Sequence, residues 1–140
     1  MESLEILYCS NFWDATVLSK VHFPKLRSLV VRGSYGRVVS LSEIDVNIQT
    51  DLEVLKLYQT QVHSTAGFSK LSSLKVLEVT HNKISDFTKL AYFNSSTQFS
   101  LCGNLVQDVS ALKSWADLEF LDLSCNRVSD LSPLRGLNLK

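Results

Sequence analysis

The stretch LEFLDLSCNRVSDLSPL, residues 118–134, decides the fold because its pattern also occurs upstream as LKVLEVTHNKISDFTKL, residues 74–90. Each stretch has an aliphatic residue at its first, fourth and sixth positions, an asparagine at its ninth and an aspartate at its thirteenth. A pattern that returns at a fixed distance is typical of repeat architectures, in which each copy stacks on the next. The chain is therefore predicted to be an array of structural repeats.

Working outward from these two stretches gives six copies of the repeat. They start near Leu4, Leu26, Leu52, Leu74, Ser96 and Leu118. The copies fill residues 1–140, which predicts a single domain. The spacing is 22 residues except between the second and third copies, where it is 26. We interpret the four additional residues, around GSYGRVVSLSEIDVN at 33–47, as a tolerated insertion, with a role in binding as the alternative.

Each copy is predicted to contain one short strand followed by a returning turn. In Leu121-Asp122-Leu123 the alternation of apolar and polar residues predicts a strand with its leucines in the core. After that strand, the apolar residues Val128, Leu131 and Leu134 follow at intervals of three. This spacing favours short helical or 3₁₀ turns, which would complete the interior.

The polar positions that recur in the pattern are predicted to be structural. Asn82, Asn104 and Asn126 stand where each strand leaves the sheet, and an inward amide could bond backbone groups that would otherwise cost ~1–3 kcal/mol each. Carboxylates four positions later could cap the returning turns. These are Asp86, Asp108 and Asp130. In the first three copies Phe12, Ser34 and Thr60 replace the asparagine.

The pattern L-x-x-L-x-L-x-x-N-x-I-x-D-x-x-x-L, clearest in residues 74–90 and 118–134, resembles the 22-residue subclass of leucine-rich repeats. It is similar to the repeats of bacterial internalins, of the leucine-rich regulatory subunit of type-1 protein phosphatase and of the leucine-rich light chain of outer-arm dynein. The resemblance implies an α/β fold: a right-handed solenoid with a concave parallel β-sheet and short 3₁₀ or helical convex turns. It also implies binding of other proteins through the concave side.

Composition argues against several other classes of protein. Fourteen basic and fourteen acidic residues cancel, so the charge expected for binding nucleic acid or an anionic membrane is missing. No apolar run reaches the ~20 residues of a membrane-spanning helix, which predicts a soluble chain. Cys9, Cys102 and Cys125 are odd in number and widely spaced, which favours a reducing, cytoplasmic location over a disulfide framework.

The sequence predicts neither a metal site nor a cofactor site. His22, His63 and His81 are far apart, and no metal-binding C-x-x-C or H-x-x-x-H spacing occurs. The segment Gly33-Ser34-Tyr35-Gly36 lacks the lysine of a phosphate-binding loop. Cys102 and His81 stand at neighbouring positions of adjacent copies, which leaves a Cys-His hydrolase as the least favoured hypothesis.

The outward positions of the strands are free of packing duties and form the predicted partner-binding surface. Its residues are Tyr8, Arg32, Lys56, Tyr58, Glu78, His81, Phe120 and Asp122. Exposed tyrosine together with arginine is typical of interface anchors. We therefore expect a non-enzymatic scaffold that binds a protein or peptide on its concave face. The alternative is a structural segment of a longer repeat protein.

Polar caps, which close the apolar ends of most repeat arrays, are not visible in the sequence. The first copy begins near Leu4, and the segment that ends at Lys140 stops where a seventh copy would start. We therefore expect that the chain is a piece of a longer array, or that it self-associates through its uncapped ends.

Overall fold

The computed structural model describes residues 3–10, 23–33, 51–65, 68, 71–90, 93 and 95–140. Its main element is one six-stranded sheet whose strands lie side by side in chain order. The strands are β1 (Ile6–Ser10), β2 (Ser28–Arg32), β3 (Val54–Tyr58), β4 (Val76–Thr80), β5 (Gln98–Ser100) and β6 (Phe120–Asp122). Among the described residues, 3₁₀ helices span Thr88–Leu90, Ser110–Ser114 and Ser132–Leu134. Phe12, Ser34 and nearly all of the 33–47 insertion lie outside the described residues.

All five strand pairings are parallel, and each aligns equivalent positions of two copies. Leu55 pairs with Leu77, for example, and Lys56 pairs with Glu78. Because side chains alternate between the two sides of a strand, this register puts every inward aliphatic residue beside its counterpart in the next copy. The predicted solenoid, with a parallel sheet and 3₁₀ turns, is confirmed.

The core lies between the sheet and the returning turns. Leu29, Leu55, Leu77 and Phe99 come from four neighbouring strands and are at most 2% exposed. Aromatic residues fill the space behind the later strands. The ring centroids of Phe99 and Trp115 are 4.7 Å apart, those of Phe87 and Phe99 are 5.7 Å apart, and those of Phe93 and Trp115 are 6.3 Å apart.

Leu131 and Trp115 are exceptions to the packing of the rest of the core. Leu131 is 59% exposed, so the prediction that it completes the core is wrong. It belongs to the copy of β6, the outer strand of the sheet, and a neighbouring copy covers that turn on one side only. Trp115 is fully buried, and its indole Nε1 has no hydrogen-bond partner among the described residues.

The asparagines bridge successive copies. Asn104 Oδ1 accepts a hydrogen bond from the Ile84 N–H at 3.0 Å, while its Nδ2 donates to the carbonyls of Val79 and Leu101 at 2.6 and 2.8 Å. Equivalent bridges are made by Asn82 and Asn126. The predicted inward amides are confirmed. Thr60, which replaces asparagine in the third copy, is fully buried and donates from Oγ1 to Asn82 Oδ1.

The aspartates close the start of each 3₁₀ helix. Asp108 Oδ1 accepts a hydrogen bond at 2.8 Å from the N–H of Ser110, the first residue of its helix. The same contact at the same distance is made by Asp86 with Thr88 and by Asp130 with Ser132. Donation from these backbone N–H groups holds the pKa of each carboxyl below its usual value, because it favours the charged form.

A ladder of ion pairs runs along the edge where the strands begin. Glu53 accepts Arg27 at 2.8 Å and Lys75 at 2.9 Å, so its carboxylate joins three successive copies. The lysine and, to a lesser degree, the arginine lower the pKa of Glu53. These pairs are open to solvent, where each is worth little to stability, and they serve mainly to align neighbouring copies.

No helix within the described parts of the chain is both long and apolar enough to span a bilayer.

Candidate protein-binding surface

The side of the sheet that faces away from the core is called the sheet face here. On β3 its residues are Val54, Lys56 and Tyr58, each partly exposed, and they alternate with the buried Leu55 and Leu57. The same alternation places seven of the eight predicted binding residues on the sheet face. The eighth, His81, follows β4 directly and is exposed.

Four of the predicted residues form a connected set, which we call the Tyr58 cluster. The Tyr58 hydroxyl donates a hydrogen bond to the Glu78 carboxylate, and Lys56 Nζ lies 2.8 Å from the other oxygen of that carboxylate. The guanidinium of Arg32 lies over the Tyr58 ring, 5.3 Å from its centroid. Register explains the contacts, because Arg32 is paired with Tyr58 on β2 and β3, and Lys56 with Glu78 on β3 and β4.

The environment of Tyr58 raises its pKa to about 12. Partial burial is the largest cause, since it penalises the tyrosinate, and the hydrogen bond to Glu78 is the next. Arg32 acts in the opposite direction but is outweighed. At neutral pH the phenol is therefore a fixed donor, and it holds the Glu78 carboxylate in place together with Lys56.

A pocket of about 340 Å³ opens where β2, β3 and β4 end. Its lining residues are Arg32, Tyr58, Gln59, Thr80 and His81. Gln59 and His81 have left-handed backbones, with φ of 53° and 52°, and this conformation turns the chain sharply out of each strand. Gln59 and Thr80 occupy outward positions of the repeat, but they were not among the eight predicted binding residues, because nothing in a residue's identity marks the mouth of a pocket.

Close packing of backbones forms the floor beside this pocket. A Cβ atom on Gly33 would lie 2.2 Å from the carbonyl oxygen of Gln59, so only glycine fits there. The Gly33 N–H also donates to the Tyr58 carbonyl at 2.8 Å. Gly33 therefore fixes how closely the end of β2, which carries Arg32, approaches the end of β3.

The remaining predicted residues lie toward the two outer strands. Tyr8 on β1 is 60% exposed, beside Ile6, which is 67% exposed and was not among the predicted site residues. Phe120 on β6 is 51% exposed. Asp122, also on β6, accepts hydrogen bonds from the Ser124 hydroxyl at 2.6 Å and its N–H at 2.9 Å, and these bonds lower its pKa. Asp122 on β6 is thus three strands away from Lys56 and Tyr58 on β3.

The contact between the two residues of the Cys-His hypothesis is a backbone one. The His81 N–H donates to the Cys102 carbonyl at 2.8 Å, while the imidazole packs over Gly103, with Nδ1 2.6 Å from where a Cβ would stand. Cys102 is half-buried and free. Within the described residues, His, Cys, Asp and Glu form no group of three suited to a metal ion, and His22 lies outside them.

Comparison with known proteins identifies the repeat. A family model described as a leucine-rich repeat matches residues 70–86 and 116–131, which include parts of the two stretches with the clearest pattern. An internalin (inlF) of Listeria monocytogenes superposes on 96% of the chain with a TM-score of 0.77 and 26% identity. Residues 70–86 and 116–131 of this protein are therefore leucine-rich repeats. The 22-residue subclass stays a prediction.

Two further solved structures have the same fold. Internalin C2 of Listeria monocytogenes matches 99% of this protein and 70% of its own chain, with 24% identity and a TM-score of 0.72. A plant peptide hormone receptor, RGFR1 in complex with RGF2, matches 96% of this protein and 23% of its own chain, with 20% identity and a TM-score of 0.69. The protein spans 38% of the length of the inlF internalin. No curated protein sequence matches it significantly.

The repeat pattern and the likeness to an internalin are consistent with a general role in protein interactions. The cytoplasmic location inferred from the cysteines stays a prediction.

Proposed function

We propose that the protein binds a protein or peptide partner on its sheet face and catalyses no reaction. The observation that carries this proposal is the Tyr58 cluster, in which an arginine, a lysine, a tyrosine and a glutamate hold one another in place on adjacent strands. Side chains that are fixed before binding lose little conformational entropy when a partner covers them. Tyrosine and arginine are also among the usual anchors of interfaces.

The structural roles of the positions within each copy favour this site over the rest of the surface. The aliphatic, asparagine and aspartate positions are occupied by packing, bridging and closing the turns. The sheet face carries the side chains that have no such duty, and it joins exposed Ile6, Tyr8 and Phe120 to the polar cluster. A mixture of exposed apolar residues and fixed charged residues is the composition expected of a protein-binding surface.

The fold likeness adds support of a general kind. The plant receptor of the same fold was solved in complex with RGF2. At 20% identity this likeness concerns the fold alone, so no contact residue is transferred from that receptor. The position of the proposed site rests on the Tyr58 cluster and not on the relative.

The test is to capture the partner from cells and to measure its affinity for three variants. Tyr58→Ala and Arg32→Ala should each weaken binding by ~1 kcal/mol or more, which is roughly fivefold to tenfold. Lys89→Ala, an exposed residue of the 3₁₀ helix Thr88–Leu90, should leave affinity unchanged. Titration calorimetry with the purified partner gives the values. A partner that is sensitive to Lys89 and insensitive to the other two residues would contradict the proposal.

A further inference from the structure

The charges around the pocket at the ends of β2, β3 and β4 are unequally balanced. Lys56 is matched by Glu78 at 2.8 Å, and Glu78 also accepts the Tyr58 hydroxyl. Arg32 instead stacks on the Tyr58 ring, and none of the ion pairs within the described residues includes it. The pocket wall therefore carries one positive charge that no described carboxylate neutralises.

Three backbone N–H groups at the mouth of the pocket are already hydrogen-bonded within the protein. The N–H of Gln59 donates to the Thr80 carbonyl at 3.1 Å, and the N–H of His81 donates to the Cys102 carbonyl at 2.8 Å. The Gly33 N–H is engaged by the Tyr58 carbonyl. An anionic group that enters must therefore be held by side chains, with the guanidinium of Arg32 as the charged donor.

We propose that this pocket accepts the carboxylate of an aspartate or glutamate side chain from a peptide segment of the partner. The inference rests on the proposed function, since it names the chemistry recognised on the same sheet face. A guanidinium offers two parallel N–H donors that match the two oxygens of a carboxylate. The guanidinium lies over the Tyr58 ring, 5.3 Å from its centroid, and this cation–π contact restricts the Arg32 side chain before the partner arrives.

The amount of charge favours a carboxylate over a phosphate. A carboxylate brings a single negative charge, which Arg32 alone can balance. A phosphorylated side chain brings about −1.5 to −2 at neutral pH. Glu78 lies within the same cluster, and the excess charge of a phosphate would be repelled by it.

The register of the sheet also predicts the type of residue that neighbours the acidic residue in the partner peptide. Tyr8 and Val30 are paired across β1 and β2, two residues before the level of Arg32. Two residues along a strand and one strand across place Tyr8 about 8 Å from Arg32, and alternate side chains of an extended peptide, about 7 Å apart, can span this distance if the peptide runs obliquely over the strands. The segment recognised is therefore an extended one, with an apolar residue two positions from its acidic residue, packed on the 60% exposed ring of Tyr8.

The test uses three synthetic pentapeptides, acetylated and amidated so that their ends carry no charge. The first is acetyl-Ser-Leu-Ser-Glu-Ser-amide, the second has glutamine in place of glutamate, and the third has phosphoserine there. Each is titrated into isotope-labelled protein, and binding is followed by the chemical shifts of backbone amides. Wild type should bind the glutamate peptide about tenfold more tightly than the glutamine peptide, as expected for one charge-assisted pair.

The variant Arg32→Gln should reduce that preference to less than about twofold. The matched control is Lys113→Gln, which removes one positive charge from the exposed 3₁₀ helix Ser110–Ser114 and should keep the full preference. Undiminished preference in Arg32→Gln, tighter binding of the phosphoserine peptide, or no saturable binding of the glutamate peptide would each overturn the proposal.

The positions of the shifted amides distinguish a failure of the carboxylate pocket from a failure of the proposed function on which it rests. Shifts on β1, β2 and β3 without dependence on Arg32 would remove the carboxylate pocket and leave binding on the sheet face intact. Shifts confined to Ser110–Ser114 and the other 3₁₀ helices would instead contradict the proposed function itself.

Discussion

At the scale of single residues, Asn104 shows how one amide stabilises two copies at once. It satisfies Ile84, Val79 and Leu101 and is only 5% exposed. We expect Asn104→Ala to lower the free energy of unfolding by ~1–3 kcal/mol, because buried backbone groups lose their partner. Urea denaturation measures the change. Asn126→Ala should cost less, since water reaches that partly exposed position.

The matched control for this prediction is Gln107→Ala, an exposed position close to Asn104 in the chain. Its stability should equal that of wild type. Equal stability of Asn104→Ala and wild type would show that the bridge contributes nothing.

A second residue-scale prediction concerns the phenol of Tyr58. Glu78→Gln should lower the Tyr58 pKa from about 12 toward its usual value, because the amide removes the negative charge that opposes ionisation. The fall should be partial, since burial remains the largest cause. Ultraviolet absorbance of tyrosinate against pH measures it, with Tyr58→Phe used to identify the signal among four tyrosines. An unchanged titration in Glu78→Gln would contradict the contact.

The linkage to stability follows from the direction of that shift. Since the folded-state pKa of Tyr58 is raised above its unfolded value of about 10, its contribution is fully present below pH 10. It is lost as the pH rises toward about 12. The free energy of unfolding should therefore fall in strong alkali, and it should fall less in Tyr58→Phe.

The sequence predicted the asparagines better than the contacts of the sheet face. An asparagine amid leucines has few uses other than bonding backbone, so its role followed from its position. Tyr58 and Glu78 were predicted as surface residues, but their hydrogen bond depends on side-chain rotamers that no periodic pattern fixes. The left-handed turns at Gln59 and His81 were missed because neither residue is a glycine.

At the scale of elements, the 3₁₀ helices should respond to acid. The Asp108 pKa is lowered in the folded state by donation from Ser110, so its contribution is present above the unfolded value of 3.8 and is lost as the pH falls through the lower folded value. Wild type should therefore lose more stability between about pH 5 and about pH 3 than Asp108→Asn, whose amide oxygen accepts a hydrogen bond at every pH.

Chemical denaturation of both proteins at the two pH values measures the difference. Gln107→Asn, which lies beside Asp108 and changes no ionisable group, serves as the control and should follow wild type. Parallel losses in all three proteins would show that other carboxyl groups account for the acid response.

The turn from β2 gives a second element-scale prediction. Gly33→Ala should destabilise by ~1–3 kcal/mol, because its Cβ would meet the Gln59 backbone carbonyl at 2.2 Å and force the two strand ends apart. Thermal unfolding measures the loss. Gly136→Ala is the comparison: a Cβ there meets nothing within 4 Å, so only its φ of +93° makes the change costly. A Gly33→Ala protein as stable as wild type would contradict the close approach.

Sequence spacing predicted the 3₁₀ helices well, because residues repeated every three positions fit that helix and few others. It located the insertion around 33–47 but could not predict the structure of that segment, because the segment follows no period. It also assigned Leu131 to the core, since the pattern of a copy does not show whether another copy covers it.

At the scale of the whole molecule, Trp115 packs against aromatic residues of two successive copies. Its ring contacts Phe93 and Phe99, and it is fully buried despite an unpartnered Nε1. Trp115→Ala should lower stability by ~3–5 kcal/mol. Because copies in an array are stabilised by their neighbours, the loss should also split one unfolding transition into two.

Calorimetry counts the unfolding transitions. The control is Trp115→Phe, which keeps an aromatic ring against Phe99 and removes the unsatisfied donor; it should retain a single transition. One sharp transition in both variants would indicate that cooperativity does not depend on this contact.

The uniform register has a mechanical consequence. Val76 pairs with Gln98, 22 positions later, and most other strand pairs have the same offset. If the chain were pulled from its ends, peeling one strand would release about 22 residues, or roughly 75 Å of contour length at ~3.4 Å per residue. Ser28 pairs with Val54, 26 positions later, so that step would be longer by about 14 Å. Under load the protein should extend in steps of equal length, except for one longer step.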